Sequence, residues 1–294
     1  MPAALSERTL LGDILLYLIE TQNMNSLNDS LLVDFLTKER QEMNIAVERV
    51  ESIGFSALSS YQIAIVGKRA QPEDGEELSE TYKYAYKIIR ERVFGESGRL
   101  LYMHWKNLLV MAIELSSPEQ TPEAFKQILE AACANARFLC PDIGIRAAMG
   151  RVCSPLTIIK RSFDEALFAF NIYDLIEREN HSSVVSFDDI GFYRVLRGSH
   201  NVNEFRRFYE ETTGKIAAYD KENNTEFVKS LELYMENDCD LDKASALLFI
   251  HKNTLRYRLL RIESITGKSL KNMRVLADYY TCFKIKAYLG LIDR

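Results

Sequence analysis

The chain has 294 residues, 47% hydrophobic and 27% charged, the proportions of an ordinary globular protein of two or three domains. A formal net charge of −5 excludes a general affinity for nucleic acid, so any such site must be a local basic surface. No apolar run approaches the roughly 20 residues that span a bilayer, and the N-terminus lacks the basic start and cleavage site of a secretory signal.

Five cysteines (Cys133, Cys140, Cys153, Cys239, Cys282) without C-x-x-C spacing suit reduced thiols in a cytoplasm. His104, His181, His200 and His251 form no ligand pair at helical spacing. A cytoplasmic protein with no membrane partner, no metal and no cofactor is therefore expected.

Leu10, Ile14, Leu15, Leu18 and Ile19 make an apolar helical stripe, and Leu31, Leu32 and Phe35 begin another, within an N-terminal helical segment 1–56. The first stripe is core or a dimerisation helix; it is too short for an isolated coiled coil. Tyr61–Gly67 is a short apolar strand, followed by an acidic turn-like stretch (Gln71–Glu77) and a helix from Leu78 to about Phe94. Arg99–Trp105 and Leu108–Leu115 read as strands joined at Lys106-Asn107, a hairpin.

Pro122 opens a helix running to about Leu139. Ile143–Met149 is another strand, Ser154–Arg178 a helix and Ser182–Ser186 a last strand. The order β-α-β-β-α-β predicts a ferredoxin-like sheet with helices on one face, plus an extra helix and strand. This α+β domain spans 57–198. Tyr82 with Tyr86, and Phe163 with Phe168, Phe170 and Tyr173, read as core rather than ligand cages.

A helical linker, 199–224, leads to an all-α domain over 225–294. There a short helix, Leu241–Leu248, meets a corner at Phe249-Ile250 and then a basic helix from His251 to Ile262. A compact helix, a tight corner and a basic amphipathic helix form a helix-turn-helix, whose second helix enters the DNA major groove. Leu241, Ala244, Leu247 and Leu248 recur at helical spacing in the first helix, and Leu255, Leu259 and Ile262 share one face of the second.

With about 100° between successive residues, Asn253, Tyr257 and Arg261 point away from the buried face, flanked by Thr254 and Arg256. Asn and Arg can pair bidentately with base edges; Lys, Thr and Tyr suit phosphate oxygens. Arg258 falls nearer the buried side and reads as a phosphate contact or a structural pair. Leu260 points outward, towards a partner element or a thymine methyl. Asn253 is the stronger expected helix cap and His251 the weaker, with His251 leaning to a structural role.

Charge is polarised along this module. Residues 251–274 carry Lys252, Arg256, Arg258, Arg261, Lys268, Lys271 and Arg274 against Glu263, a net +6. Residues 226–242 carry Glu226, Glu232, Glu236, Asp238, Asp240 and Asp242 against Lys229, a net −5. Cations are thus concentrated where phosphates would lie. The plainer reading is an amphipathic helix with a solvated basic face.

The run Ala246–Gly267 closely resembles the C-terminal DNA-binding domain of PucR/CdaR-type bacterial regulators. That pattern appears here as Leu248, Ile250, His251, Asn253, Thr254, Leu255, Tyr257, Arg258, Leu259, Arg261, Ile262, Thr266 and Gly267. Leu276–Gly290 resembles the closing helix of that domain, Ser186–Gly198 its upstream junction, and Asp29–Phe55, more loosely, the segment leading into the central domain. A looser likeness to Fis-type helix-turn-helix proteins lies in the same residues.

The resemblance implies a sequence-specific regulator of transcription with a degenerate GGDEF-like central domain, a small-molecule effector, a homodimeric state and double-stranded DNA as partner. The residues expected to bind DNA, from their place on the helix and their chemistry, are Lys252, Asn253, Thr254, Arg256, Tyr257, Arg258 and Arg261. Many relatives carry a sensor domain upstream, so the chain is expected to be a short member or to lack that part.

A catalytic role finds little support. The hairpin Tyr102–Asn107 has neither paired glycines nor an acidic pair, and the first strand, Gln62–Lys68, has no carboxylate for the metals of phosphoryl chemistry. Gly267-Lys268-Ser269 lacks the upstream glycine of a phosphate-binding loop. The chain is therefore not expected to be an enzyme. The alternatives are a nucleotide-binding or cyclase-like enzyme of the GGDEF fold, and a module whose basic helix binds an acidic protein.

Overall fold

Strand β1 (Ser60–Lys68) is buried along nearly its whole length, and this one fact organises the first half of the chain. A strand covered on both faces needs apolar residues at successive positions rather than alternation. Ile63-Ala64-Ile65-Val66 supplies them. In a computed structural model of the protein, residues 27–38, 43–68, 79–97, 99–176, 182–197 and 201–292 are described. The expected stripe Leu10–Ile19 and the acidic stretch Gln71–Glu77 lie outside them. The chain divides into two units, Met1–Arg194 and Val195–Arg294.

In the first unit, α1 (Leu27–Thr37) and α2 (Met43–Ser52) precede β1. They are followed by α3 (Glu80–Ser97), β2 (Leu100–Trp105), β3 (Leu108–Leu115), α4 (Pro122–Leu139), β4 (Ile145–Met149), α5 (Ile159–Asn171), α6 (Tyr173–Ile176) and β5 (Val184–Ser186); the short α7 (Tyr193–Arg197) runs across the division between the units. The sheet order is β2-β3-β1-β4-β5, antiparallel except for the parallel pair β4–β5. Trp105 pairs with Leu108 across the Lys106-Asn107 turn, and Lys106 takes a left-handed conformation (φ 51°).

One face of the sheet (Ala64, Val66, Leu109, Met111, Ala147) packs on α3 and α4 through Ala85, Ile89, Phe125 and Leu129. Tyr86 belongs to this core, with Tyr82 packed against it. The extra helix α5 covers the other face: Phe163 meets Trp105 edge-on at 5.3 Å, and the Ser162 hydroxyl accepts from the Ile63 amide at 3.0 Å. Leu31, Leu32 and Phe35 of α1 are fully buried within this unit.

Gly150 shows how close α5 approaches. A Cβ there would stand 1.9 Å from the Ser162 carbonyl oxygen, so only glycine fits. Beside it, Glu165 is buried and grips Arg151 through its guanidinium and its backbone amide, with Arg161 as a second partner. Burial alone would push the Glu165 carboxyl up; the bonds from Arg151 and Arg161 outweigh it and hold the group below its ordinary value.

The second unit is helical: α8 (Val202–Asn223), α9 (Phe227–Glu236), α10 (Leu241–Leu247), α11 (Lys252–Thr266) and α12 (Met273–Ile292). Its core joins Ile216, Phe227, Leu231, Ala244, Leu255, Leu259, Ile262, Tyr279 and Phe283. The segment expected as a helical linker forms α8, and its Thr213 and Ile216 are buried. It is therefore part of this unit's packing rather than a free connector.

Candidate nucleic-acid interface

The corner between α10 and α11 is built from backbone hydrogen bonds. Asp240 caps α10, its carboxylate accepting from the amides of Asp242 (2.8 Å) and Lys243 (3.1 Å), which holds its carboxyl below the ordinary value. At the other end the Ile250 amide donates to the Ser245 carbonyl and the Phe249 amide to that of Ala246. This is the paired-bond stop of a Schellman motif, with Phe249 at the left-handed position (φ 55°) that glycine usually fills.

The corner ends as His251 begins α11. His251 Nδ1 accepts from the Asn253 amide at 3.2 Å, so His251 is the cap. Asn253, the stronger expected cap, falls one residue inside the first turn, because the helix starts at Lys252. Its side chain is left exposed. Gly267, left-handed at φ 71°, closes the helix by donating to the Glu263 carbonyl. Glu263, the one anion among residues 251–274, accepts from the Leu270 amide at 2.6 Å and from the Ser269 hydroxyl. Its charge is therefore spent on the loop that follows.

Leu255, Leu259 and Ile262 pack inward, and Ala244 of α10 is fully buried, small enough for the two helices to approach. Burying each of these larger side chains stabilises the unit by about 1.5–3 kcal/mol. The opposite side of α11 exposes Asn253, Arg256, Tyr257 and Leu260, at the i, i+3, i+4, i+7 spacing of one stripe. Lys252 and Thr254 are exposed at its start. Lys252 also forms an exposed pair with Asp242 at 3.2 Å.

The two remaining arginines differ. Arg261 is exposed, with its guanidinium over the Tyr219 ring at 5.4 Å and Nε 3.5 Å from the phenol oxygen. Arg258 is half-buried and donates to the Ser230 hydroxyl of α9 at 2.8 Å. Six of the seven residues singled out from sequence thus lie exposed on α11, and Arg258 is drawn towards α9.

Two supporting residues escaped the sequence reading. The Asp220 carboxylate accepts from the amides of Phe227 (2.8 Å) and Val228 (2.9 Å), capping α9 where Glu226 makes no such bond. Tyr219, stacked on Phe227 at 5.3 Å, carries Arg261. Both lie in α8. The signal available was Asn224, whose left-handed turn brings the end of α8 back onto α9.

In the first unit the β2–β3 hairpin presents Lys106 and Asn107, and β1 carries no Asp or Glu. Among the described residues, no group of three or more His, Cys, Asp or Glu could hold a metal ion. No helix among them is long and apolar enough to cross a membrane.

These elements define a helix-turn-helix protein. Residues 227–285 match the PucR C-terminal helix-turn-helix domain, so this stretch of the chain is a domain of that kind. It is 24% identical over 240 residues to the proline-responsive transcriptional activator PutR of Bacillus subtilis (strain 168), covering 82% of this chain and 56% of that one. To the DNA-binding transcriptional activator AdeR of the same organism it is 26% identical over 239 residues, covering 80% and 53%. The chain thus spans about half the length of these curated relatives. Aligned with the crystal structure of a regulator of polyketide synthase expression from Bifidobacterium adolescentis, it is 16% identical, with a TM-score of 0.43 over 93% of this chain and 97% of that chain.

Proposed function

We propose that this chain binds duplex DNA sequence-specifically through the exposed side of α11 and so regulates transcription. The observation that carries the reading is the exposed stripe Asn253, Arg256, Tyr257, Leu260, flanked by the exposed cations Lys252 and Arg261, opposite the packed stripe of an intact helix-turn-helix. Asn253, Thr254, Arg256 and Tyr257 approach base edges and neighbouring phosphates; Lys252 and Arg261 neutralise phosphates. Arg258, tied to Ser230, holds α11 on α9 and positions the reading side chains.

One module of this size covers little DNA, so the active species is a homodimer reading half-sites about 34 Å apart or a multiple of it. In this reading, residues 225–294 form the DNA-binding domain, 199–224 the helix joined to it, 57–198 the central domain and 1–56 a helical lead-in. The strand order β4-β1-β3-β2, with α3 and α4 on one face, supports a ferredoxin-like, GGDEF-like central domain. Its hairpin and first strand lack the carboxylates of a cyclase, which favours a small-metabolite effector or a dimer contact over catalysis. A cytoplasmic location follows from the same reading.

Selection of binding sequences from a randomised duplex pool tests it. Enrichment of a two-half-site sequence is expected. Retention of all sequences alike, at any salt concentration, would point to charge attraction without readout.

A further inference from the structure

Leu260 stands out on α11. It is 59% exposed, whereas every other aliphatic residue of the helix (Leu255, Leu259, Ile262, Ile265) is buried or half-buried. It completes the stripe begun by Asn253, Arg256 and Tyr257. Arg261 and Ser264, its other near neighbours on the surface, are exposed as well.

That setting selects the occupant. A protein–protein core wants contiguous apolar surface and few charges, but Leu260 is flanked by the exposed Arg256, Tyr257, Arg261 and Ser264. The cations favour a polyanion. On a duplex, the apolar group displayed to a helix in the major groove is the thymine C5-methyl.

We propose that Leu260 is a specificity-determining residue that packs on the C5-methyl of a thymine in each half-site. The proposal rests on the DNA-binding reading above. Leu260 lies four residues beyond Arg256, about 6 Å along the helix at 1.5 Å per residue. The thymine should therefore fall about two base pairs from the base that Arg256 reads.

The test uses the whole chain and the sequence enriched by selection, with each thymine replaced in turn by deoxyuridine, which removes only the methyl. Loss of one buried methyl should weaken binding about three- to fivefold. The wild-type chain is expected to show that penalty at one thymine per half-site, and Leu260→Ala to bind thymine and uracil forms equally there. Leu260→Met, which keeps an apolar tip, should retain the penalty.

Because Leu260 is exposed, the alanine variant should keep its helix content and melting temperature. Indifference of the wild-type chain to every methyl would overturn the proposal. So would an unchanged uracil penalty in Leu260→Ala, including the case where that variant alters only the oligomeric mass. Failure to select any sequence would overturn both readings, a result distinct from selective binding without methyl dependence.

Discussion

His251 and Asn253 show what a single residue position decides. Both can cap a helix, and the polar pattern alone ranks asparagine first. The start of α11 is set one step upstream, by the left-handed Phe249 that ends α10, so His251 takes the cap and Asn253 is released to the surface. Arg256 and Arg258 diverge for a similar reason: two residues apart, they differ by about 200° around the helix. Arg256→Ala should leave the melting temperature unchanged and relax sequence preference at one base. Arg258→Ala should destabilise the C-terminal unit by about 1.5 kcal/mol, the scale of a hydrogen bond to a charged group, and weaken all duplexes alike. Thermal melts run beside competition binding separate the two. A matching effect of both variants on melting and on preference would contradict the assignment.

Acid sensitivity also belongs to one residue. Glu165 has a lowered pKa in the folded protein, so its contribution is present above the unfolded carboxyl value near 4.3 and is lost as pH falls through the lower folded value. Unfolding of the wild-type chain should therefore become easier below about pH 4.3. Glu165→Gln should be less stable at neutral pH, with a shallower loss on the acid side. Equal acid slopes in chemical denaturation would remove Glu165 from the account.

Elements were legible where local chemistry settles them. The Lys106-Asn107 turn, the Pro122 start of α4 and the Gly267 stop of α11 fall where the sequence pattern put them. The region expected as one helix from Ser154 to Arg178 instead begins with a 3-10 turn (Leu156–Ile158) and divides into α5 and α6 near Ile172. The packing role of α8 was not legible, because only Thr213 and Ile216 of its 22 residues are buried, too few to mark an apolar stripe. Capping of α9 by Asp220 was hidden for a related reason: the partner lies across a turn that Asn224 must first make. Two crowding variants test the packing. Ala244→Leu should cost about 1–3 kcal/mol by forcing α10 off α11, and should abolish DNA binding with it. Gly150→Ala should destabilise the first unit by a similar amount, its Cβ meeting backbone that cannot rotate away. Unchanged unfolding midpoints in either variant would show that the contacts are looser than described.

Across the whole molecule the governing feature is charge placement. A chain of net −5 keeps seven of its cations within residues 251–274, a short way beyond an acidic stretch, 226–242, whose Asp240 caps α10. Such a protein should bind random duplex weakly and lose that binding steeply with salt, by a log–log slope of about 0.9 per phosphate neutralised. Lys252→Ala should flatten the slope by about one per half-site without changing sequence preference. The central claim, that the exposed side of α11 reads sequence, is tested most directly by one equilibrium measurement. The selected duplex and a scrambled duplex of equal composition are titrated with wild-type chain and with Asn253→Ala/Arg256→Ala across a salt series. The account predicts selective binding by the wild-type chain at every salt concentration where binding is measurable, and loss of that selectivity in a double variant that stays folded and keeps weak binding to both duplexes. Selectivity that survives in the double variant would place the readout elsewhere and contradict the account.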